Sequence, residues 1–512
     1  MIKQLLFVSA AVIMLAFNAC KNSDLSPEPL GDSTVTPIVN PLASANWNNA
    51  FTSNINFYPA VNKPLSNFGG GSSMCTDAAG NIYIVGALKG SMDADPSTGV
   101  ATISQGTTTG MSLFLAKYNA AGNYLWTKVI DGNLFGDSYT KVVAPVLAVD
   151  NAGNLYLYST FSGIANFGGN NQIESYRLDA DNSKKSTYSA FLAKYSTSGT
   201  FQWGKVINDQ SAISTVGRDI VGRDMQIDAN GNIYIVGQYN GDLKFTNGST
   251  SFSVGTSATY NGASPGNSAF VAKLNNSGNV IWATNLFNSN FSIANLSLDN
   301  NNDVIITGTQ NGAATFTDVD GKTIFVGNRF ISNTYAFVAK INNVSGGKIT
   351  WFKSFTNNDD LTISSSLATN TDGSIYILGN LLYKLSSTGS VVWSKTIANS
   401  GLSSSYGKPA MTLNTNNDII ISGSYTGSIT PTGATTPLTG TAKVNTYLTK
   451  YRTDGTYVWA KSYSGPAQND VLEAYYLDTD QNNHINIYGS FSFTALKNNN
   501  NYLFLSQIND AN

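Results

Sequence analysis

Two cysteines, one histidine and a low density of charge in 512 residues remove several classes of function before any motif is read. Cys20 and Cys75 are too few for a disulfide framework, and with no Cys or His nearby in sequence Cys75 reads as a small buried apolar residue. A single histidine, His484, rules out most multi-histidine metal hydrolases and any Ser/His/Asp triad that does not use it. Charged residues make up 12%, about half the usual globular share. The 29 Lys and Arg stand against 31 Asp and Glu with no basic cluster, so nucleic acid is a poor partner. What remains is abundant Gly, Asn, Ser and Thr with 11% aromatics, the composition of short β-strands joined by polar turns.

The N-terminus reads as an address. Lys3 precedes an apolar run of 13 residues, Leu5 to Phe17, which is short for a membrane span and suits a signal peptide over Met1 to Ala19. Ala19 followed by Cys20 resembles a bacterial lipoprotein signal, which implies lipidation of Cys20 and an anchor in the membrane. Residues 20–43 carry prolines among polar residues without periodicity, the make-up of a tether. Lys21 with Asp24 and Glu28 is similar to the acidic segment of surface-exported lipoproteins of the Bacteroidota. Asp32 to Thr34 resembles the short O-glycosylation motif of the same bacteria. The implied location is the outer membrane, facing the periplasm or the cell surface.

From Cys75 onward one pattern recurs seven times: an Asp or Asn, two variable residues, a Gly or Asn, then an apolar strand. It begins at Asp77, Asp150, Asp228, Asp299, Asn370, Asn414 and Asp480, and its fourth slot holds Gly80, Gly153, Gly231, Asn302, Gly373, Asn417 and Asn483. Gly and Asn are the residues that most readily take positive φ, and a short Asx side chain can bond the turn backbone, so the pattern marks a hairpin turn. Aromatic-led strands such as Phe114 to Tyr118 follow after a variable gap. A Gly then stands four residues before a tryptophan in six cases: Gly122 and Trp126, Gly199 and Trp203, Gly278 and Trp282, Gly347 and Trp351, Gly389 and Trp393, Gly455 and Trp459. One tryptophan per unit at a fixed position reads as packing.

Four antiparallel strands in units of roughly 65 residues with no linkers describe a β-propeller. The "GNIYIVG", "FLAKY" and "GNYLW" segments resemble the SBBP-type bacterial β-propeller repeats over residues 70 to 508, with departures at Ser159, where other units have Gly, and in the short fifth unit. That family implies the fold and hardly any activity. The last unit begins at Asp480 and stops at Asn512 without a tryptophan strand, and the seventh tryptophan is Trp47. The sequence therefore predicts an all-β, seven-bladed β-propeller over residues 44–512, with Ser44 to Ala50 pairing with Tyr502 to Ile508 to complete blade 7.

In such a ring the tight turns share one rim, and the long insertions after the second strands share the other with the connections between units. Long loops on a rigid scaffold are where binding resides, so that rim and the channel mouth are the candidate surface. Asp93 with Asp95, and Asp318 with Asp320, have the alternate-carboxylate spacing that can serve Ca²⁺, beside a turn-capping role. No other cofactor is implied. His484 reads as a turn residue, and the repeated Lys117, Lys194, Lys273, Lys340, Lys384 and Lys450 as stems along outer strands with solvated heads. The expectation is a monomeric, membrane-tethered, non-catalytic binding or scaffolding protein whose partner is a glycan or an envelope protein. The alternative is a carbohydrate-active enzyme using rim carboxylates.

Overall fold

The computed structural model describes Trp47–Phe51 and, with gaps in the connections, residues 74 to 510. The signal segment, Cys20, the tether and residues 44–46 lie outside the described residues, as do Asp318 and Asp320. Every described regular element is a strand. The third unit sets the pattern: Ile220–Ile227, Ile233–Tyr239, Ser268–Leu274 and Val280–Phe287 pair antiparallel in chain order. All seven residues of Ile233–Tyr239 are buried, as expected of a middle strand covered on both faces.

The first strands of the seven units are Met74–Thr76, Val146–Val149, Ile220–Ile227, Phe291–Leu298, Ser366–Thr369, Ala410–Leu413 and Val471–Thr479. Five units form separate four-stranded sheets, whereas the first two share a larger one. There Tyr124–Phe135 runs past its own unit and sets Asp131 opposite Asn166 and Gly132 opposite Ala165 of Leu155–Asn166. Gly132, at φ +141°, makes this junction possible, because a Cβ would stand 1.8 Å from the Ile164 carbonyl oxygen. In the last unit, Trp47–Phe51 pairs antiparallel with Tyr502–Asn509, with Trp47 opposite Gln507 and Phe51 opposite Leu503.

The core is divided among seven apolar clusters, each built from two consecutive units. One joins the last unit to the first, where Tyr488, Leu503 and Leu505 meet Ile82, Ile84 and Phe114. Much of the tyrosine is core, with Tyr83, Tyr156, Tyr234 and Tyr376 among the largest fully buried side chains. Glycine near the end of the second strand lets the third-strand aromatic lie flat across it: at Gly86 a Cβ would come within 2.5 Å of the Phe114 ring. The second unit has Ser159 there, and its Phe191 packs edge-on against Phe161 and Phe167, at 5.4 and 5.6 Å between centroids, as Phe337 does against Phe291 where the glycine is present.

The insertions contain strands of their own. Ser91–Asp93 pairs with Thr102–Ser104, Asp242–Asn247 with Thr250–Thr256, Ala314–Thr317 with Thr323–Val326, and Ser428–Ile429 with Leu438–Thr439. Because they follow the second strands, these hairpins rise at the end opposite the tight turns. The chain is an all-β, propeller-like array of antiparallel sheets.

Candidate functional site: the channel and the seams around it

The seven first strands line one cavity of about 460 Å³. Each lies against the first strand of the next unit, and Val471–Thr479 lies against Met74–Thr76. Polar side chains stitch these neighbours together. The Thr369 hydroxyl donates to the Leu298 carbonyl at 2.5 Å, Ser366 to Met411 at 3.0 Å and Thr479 to Leu413 at 2.9 Å.

Two carboxylates face this channel, and both are bound into the scaffold. Asp224 accepts the backbone N–H groups of Met225 at 2.8 Å and of Leu296, in the next unit, at 2.6 Å. Burial nonetheless pushes its carboxyl well above the usual range, against those two bonds. Asp478 accepts Thr479 N–H at 2.9 Å and is hydrogen-bonded by Thr76 of the first unit; burial pushes it up to about 6. Cys75 lines the same wall, half-buried, and burial with the nearby Asp478 and Asp77 raises its thiol.

Bulges in three first strands add side chains that no sequence pattern announces. Register shifts at Gly222/Asp224, Ile293/Asn295 and Ala474/Tyr476 leave Arg223, Ala294 and Tyr475 as the extra residues. A bulge re-aims its extra residue. The Arg223 guanidinium bonds Gln238 Oε1 through Nε at 2.8 Å and Nη2 at 2.5 Å, and burial lowers it to about 10. The Tyr475 hydroxyl lies 2.7 Å from Glu473 Oε2 and 2.6 Å from Ser490 Oγ; burial raises the Glu473 carboxyl, opposed by the tyrosine bond.

On the opposite rim, all seven Asx residues use one side-chain oxygen to hold two turn N–H groups. Asp228 Oδ1 accepts Asn230 at 2.9 Å and Asn232 at 2.8 Å, and Asp480 Oδ1 accepts Asn482 at 2.9 Å and His484 at 2.8 Å. The fourth slot has positive φ in every unit, from 57° at Asn302 to 81° at Gly373. In the first three units Asn81, Asn154 and Asn232 donate Nδ2 to the second Asp oxygen at 2.9 Å. His484 fills the same slot and sets Nδ1 2.7 Å from Asp480 Oδ2.

The tryptophans act between units. Gly199, Gly278, Gly347 and Gly389 each sit so close to the tryptophan of the preceding unit that a Cβ would come within 2.7 to 2.9 Å of Trp126, Trp203, Trp282 and Trp351. Trp126 Nε1 also donates to the Thr197 carbonyl in that next turn at 3.2 Å, and Trp282 to Asn343 at 3.1 Å. Trp393 sits farther off, 3.5 Å from a Cβ on Gly455. Of Trp47 only the backbone position is described.

The repeated lysines do not have solvated heads. Lys117 and Lys450 are 5% and 7% exposed, since each lysine stands opposite its tryptophan in the ladder, on the face that meets the next unit. Lys117 lies 4.8 Å over the Tyr83 ring and donates to Thr197 Oγ1 of the following unit at 3.0 Å. Burial lowers its ammonium, opposed by Asp77 at 3.8 Å. Where the second-strand tyrosine is replaced by Ile305 or Ile420, the slot next to the turn holds Asp303 or Asp418, and an ion pair takes over. Burial alone would lower Lys340 and Lys450, but hydrogen bonds and charge from Asp299 and Asp303, and from Asp510 and Asp418, outweigh it and raise both.

Asp93 caps the first inserted hairpin: its Oδ1 accepts Asp95 N–H at 3.0 Å and Ala101 N–H at 2.8 Å. Among the described residues no three His, Cys, Asp or Glu side chains form a metal-binding group, and no helix is long and apolar enough to cross a membrane.

No family model matches the chain. Over an alignment of 240 residues, which covers 43% of the chain and 16% of the relative's length, the chain is 28% identical to an uncharacterised WD repeat-containing protein of Acanthamoeba polyphaga mimivirus. Similar solved structures include a streptogramin B lyase, 13% identical with 90% of this chain and 97% of that one covered at a TM-score of 0.42. Another is a protein of unknown function from Dyadobacter fermentans, 10% identical, covering 86% and 94% at a TM-score of 0.34. The repeated sheets and the WD-repeat relative make this a β-propeller-like repeat protein.

Proposed function

We propose that residues 44–512 form one closed seven-bladed propeller of the SBBP type, held at the outer membrane through lipidated Cys20, that binds its ligand without transforming it. Closure is supported by the pairing of Trp47–Phe51 with Tyr502–Asn509 and by the packing of Tyr488 and Leu505 on Ile82 and Ile84. The ligand, a glycan or an envelope protein, sits on the rim where the inserted hairpins flank the channel mouth.

The observation that carries the non-catalytic reading is the engagement of the channel carboxylates. Asp224 and Asp478 are each tied to backbone N–H groups, and Asp224 links two units, so moving a proton there would disturb the scaffold. A general acid or base must instead be free to exchange with substrate.

The test is binding of the full chain in detergent to a glycan array and to envelope extract, beside a variant with residues 242–256 replaced by a Gly-Ser turn. Loss of binding in the variant, with no new reducing ends from any bound polysaccharide, is the expected result. Polysaccharide turnover that Glu473→Gln abolishes would overturn the reading in favour of the enzyme.

A further inference from the structure

The seams between units are sealed by lysines of one unit reaching the turn of the next. Lys117 reaches Thr197, Lys194 the Asn276 carbonyl at 3.4 Å, Lys273 Asn343 Oδ1 at 2.8 Å, Lys384 the Thr453 carbonyl at 3.2 Å and Lys450 the Asp510 carboxylate at 2.8 Å. A second lysine, two residues after the tryptophan, adds to the seal at the fifth seam, where Lys395 donates to the Gly455 carbonyl.

At the seam between the fourth and fifth units both lysines are diverted. Lys340 turns back to Asp299 at 2.6 Å and Asp303 at 3.2 Å of its own unit. Lys353 lies over the Phe355 ring, 5.4 Å from its centroid. Trp351 Nε1 still bonds the Ser387 carbonyl at 3.2 Å and Asn300 Nδ2 bonds the Thr371 carbonyl, so the two units remain joined. Between those ties lies a cleft of about 480 Å³ lined by Trp351, Lys340, Asp299, Asn301, Asp372 and Thr388. Trp351 is half-buried, whereas Asn301, Asp372 and Thr388 are exposed.

We infer that this cleft is a binding site for a neutral saccharide of one or two rings. Its volume lies in the range of small-molecule sites, roughly 300 to 1,000 Å³. The part of the half-buried indole that Gly389 leaves uncovered offers apolar surface to the C–H groups of a sugar ring, while a carboxylate, an amide and a hydroxyl on exposed turns offer hydrogen bonds to its hydroxyls. Two carboxylates against one ammonium leave the lining net negative, which disfavours uronate-type sugars. The cleft lies on the tight-turn rim, at the far end from the inserted hairpins, so it is independent of the rim ligand proposed above.

Calorimetric titration of the full chain in detergent with cellohexaose, xylohexaose, mannohexaose, maltohexaose and hexagalacturonate tests the assignment. At least one neutral oligosaccharide binds, and Asp372→Ala weakens it about tenfold, the value of one hydrogen bond to a charged group. Thr388→Trp, at an exposed turn position, fills the cleft and abolishes binding while the fold is retained. Replacing residues 242–256 leaves this affinity unchanged, which separates the site from the rim. The inference fails if no neutral oligosaccharide binds, if both cleft variants bind as wild type does, or if hexagalacturonate binds best.

Discussion

Gly231 and Gly278 lie in the same unit at nearly the same backbone angle, φ +77° and +73°, yet alanine should cost very different amounts at the two positions. Each substitution forces an L-residue into the left-handed region, about 1–2 kcal/mol. At Gly231 that is nearly all, because the nearest atom to a new Cβ is Asn276 Cβ at 3.6 Å, an ordinary contact. At Gly278 the Cβ would meet Trp203 at 2.8 and 2.9 Å and Lys205 at 3.2 Å. Pushing the indole off adds the cost of overpacking, about 1–3 kcal/mol. Gly231→Ala should therefore cost about 1–2 kcal/mol and Gly278→Ala about 2–5 kcal/mol. Gly231→Asn should cost less than about 1 kcal/mol, since Asn302, Asn417 and Asn483 hold that slot at 57° to 62°. Urea unfolding followed by tryptophan emission measures all three. If Gly278→Ala proves no worse than Gly231→Ala, the tryptophan is not seated on the next unit's turn and the account of the seams is wrong.

Three further outcomes follow from named contacts. Asp478 has a folded-state pKa raised from 3.8 to about 6, so the native state holds the extra proton and stability falls as pH climbs from about 4 to about 6. At about 1.4 kcal/mol per pH unit the full effect is about 3 kcal/mol; allowing for the lost acceptor, Asp478→Asn should be more stable than wild type by about 1–2 kcal/mol at pH 7. At pH 4 the sign should reverse, the lost acceptor leaving the variant less stable than wild type by about 1 kcal/mol, and a difference independent of pH would refute the burial argument. His484→Asn should change stability by less than about 0.5 kcal/mol, because Asn makes the same bond in three other units, whereas His484→Leu should cost about 1 kcal/mol, both read by thermal unfolding. Deleting residues 44–51 bares the edge of Tyr502–Asn509; concentration-dependent self-association in light scattering is expected, and a strictly monomeric variant would count against the pairing.

The turns were legible because their chemistry is local: an Asx oxygen and a residue of positive φ act within five positions of one another. That tryptophan packs was also legible, but its partner was not. The glycine four residues upstream belongs to the same hairpin, while the glycine it touches lies in the next unit, as with Trp203 and Gly278. The lysines were misread for a related reason, since a regular strand position does not reveal which face meets a neighbour. The diverted Lys340 was hidden deeper, because Lys450 meets the same replacements, Ile420 and Asp418, and still reaches the next unit through Asp510; Lys340 differs in having Asp299 as well as Asp303 in its own turn. Nor did composition announce the bulges that add Arg223 and Tyr475, or the hairpins inside the insertions, whose polar residues read equally well as loop.

The strand partners Trp47 and Gln507 lie about 460 residues apart in sequence. At ribosomal rates of roughly 5–20 residues per second, the N-terminal strand waits from about half a minute to a minute and a half for its partner to be made. The sheet that unites the two ends of the chain cannot form before Gln507 has been made, and it closes the longest sequence separation among the described strand pairs. Until that pairing forms, wherever the chain folds, Tyr502–Asn509 offers an unpaired edge to its surroundings.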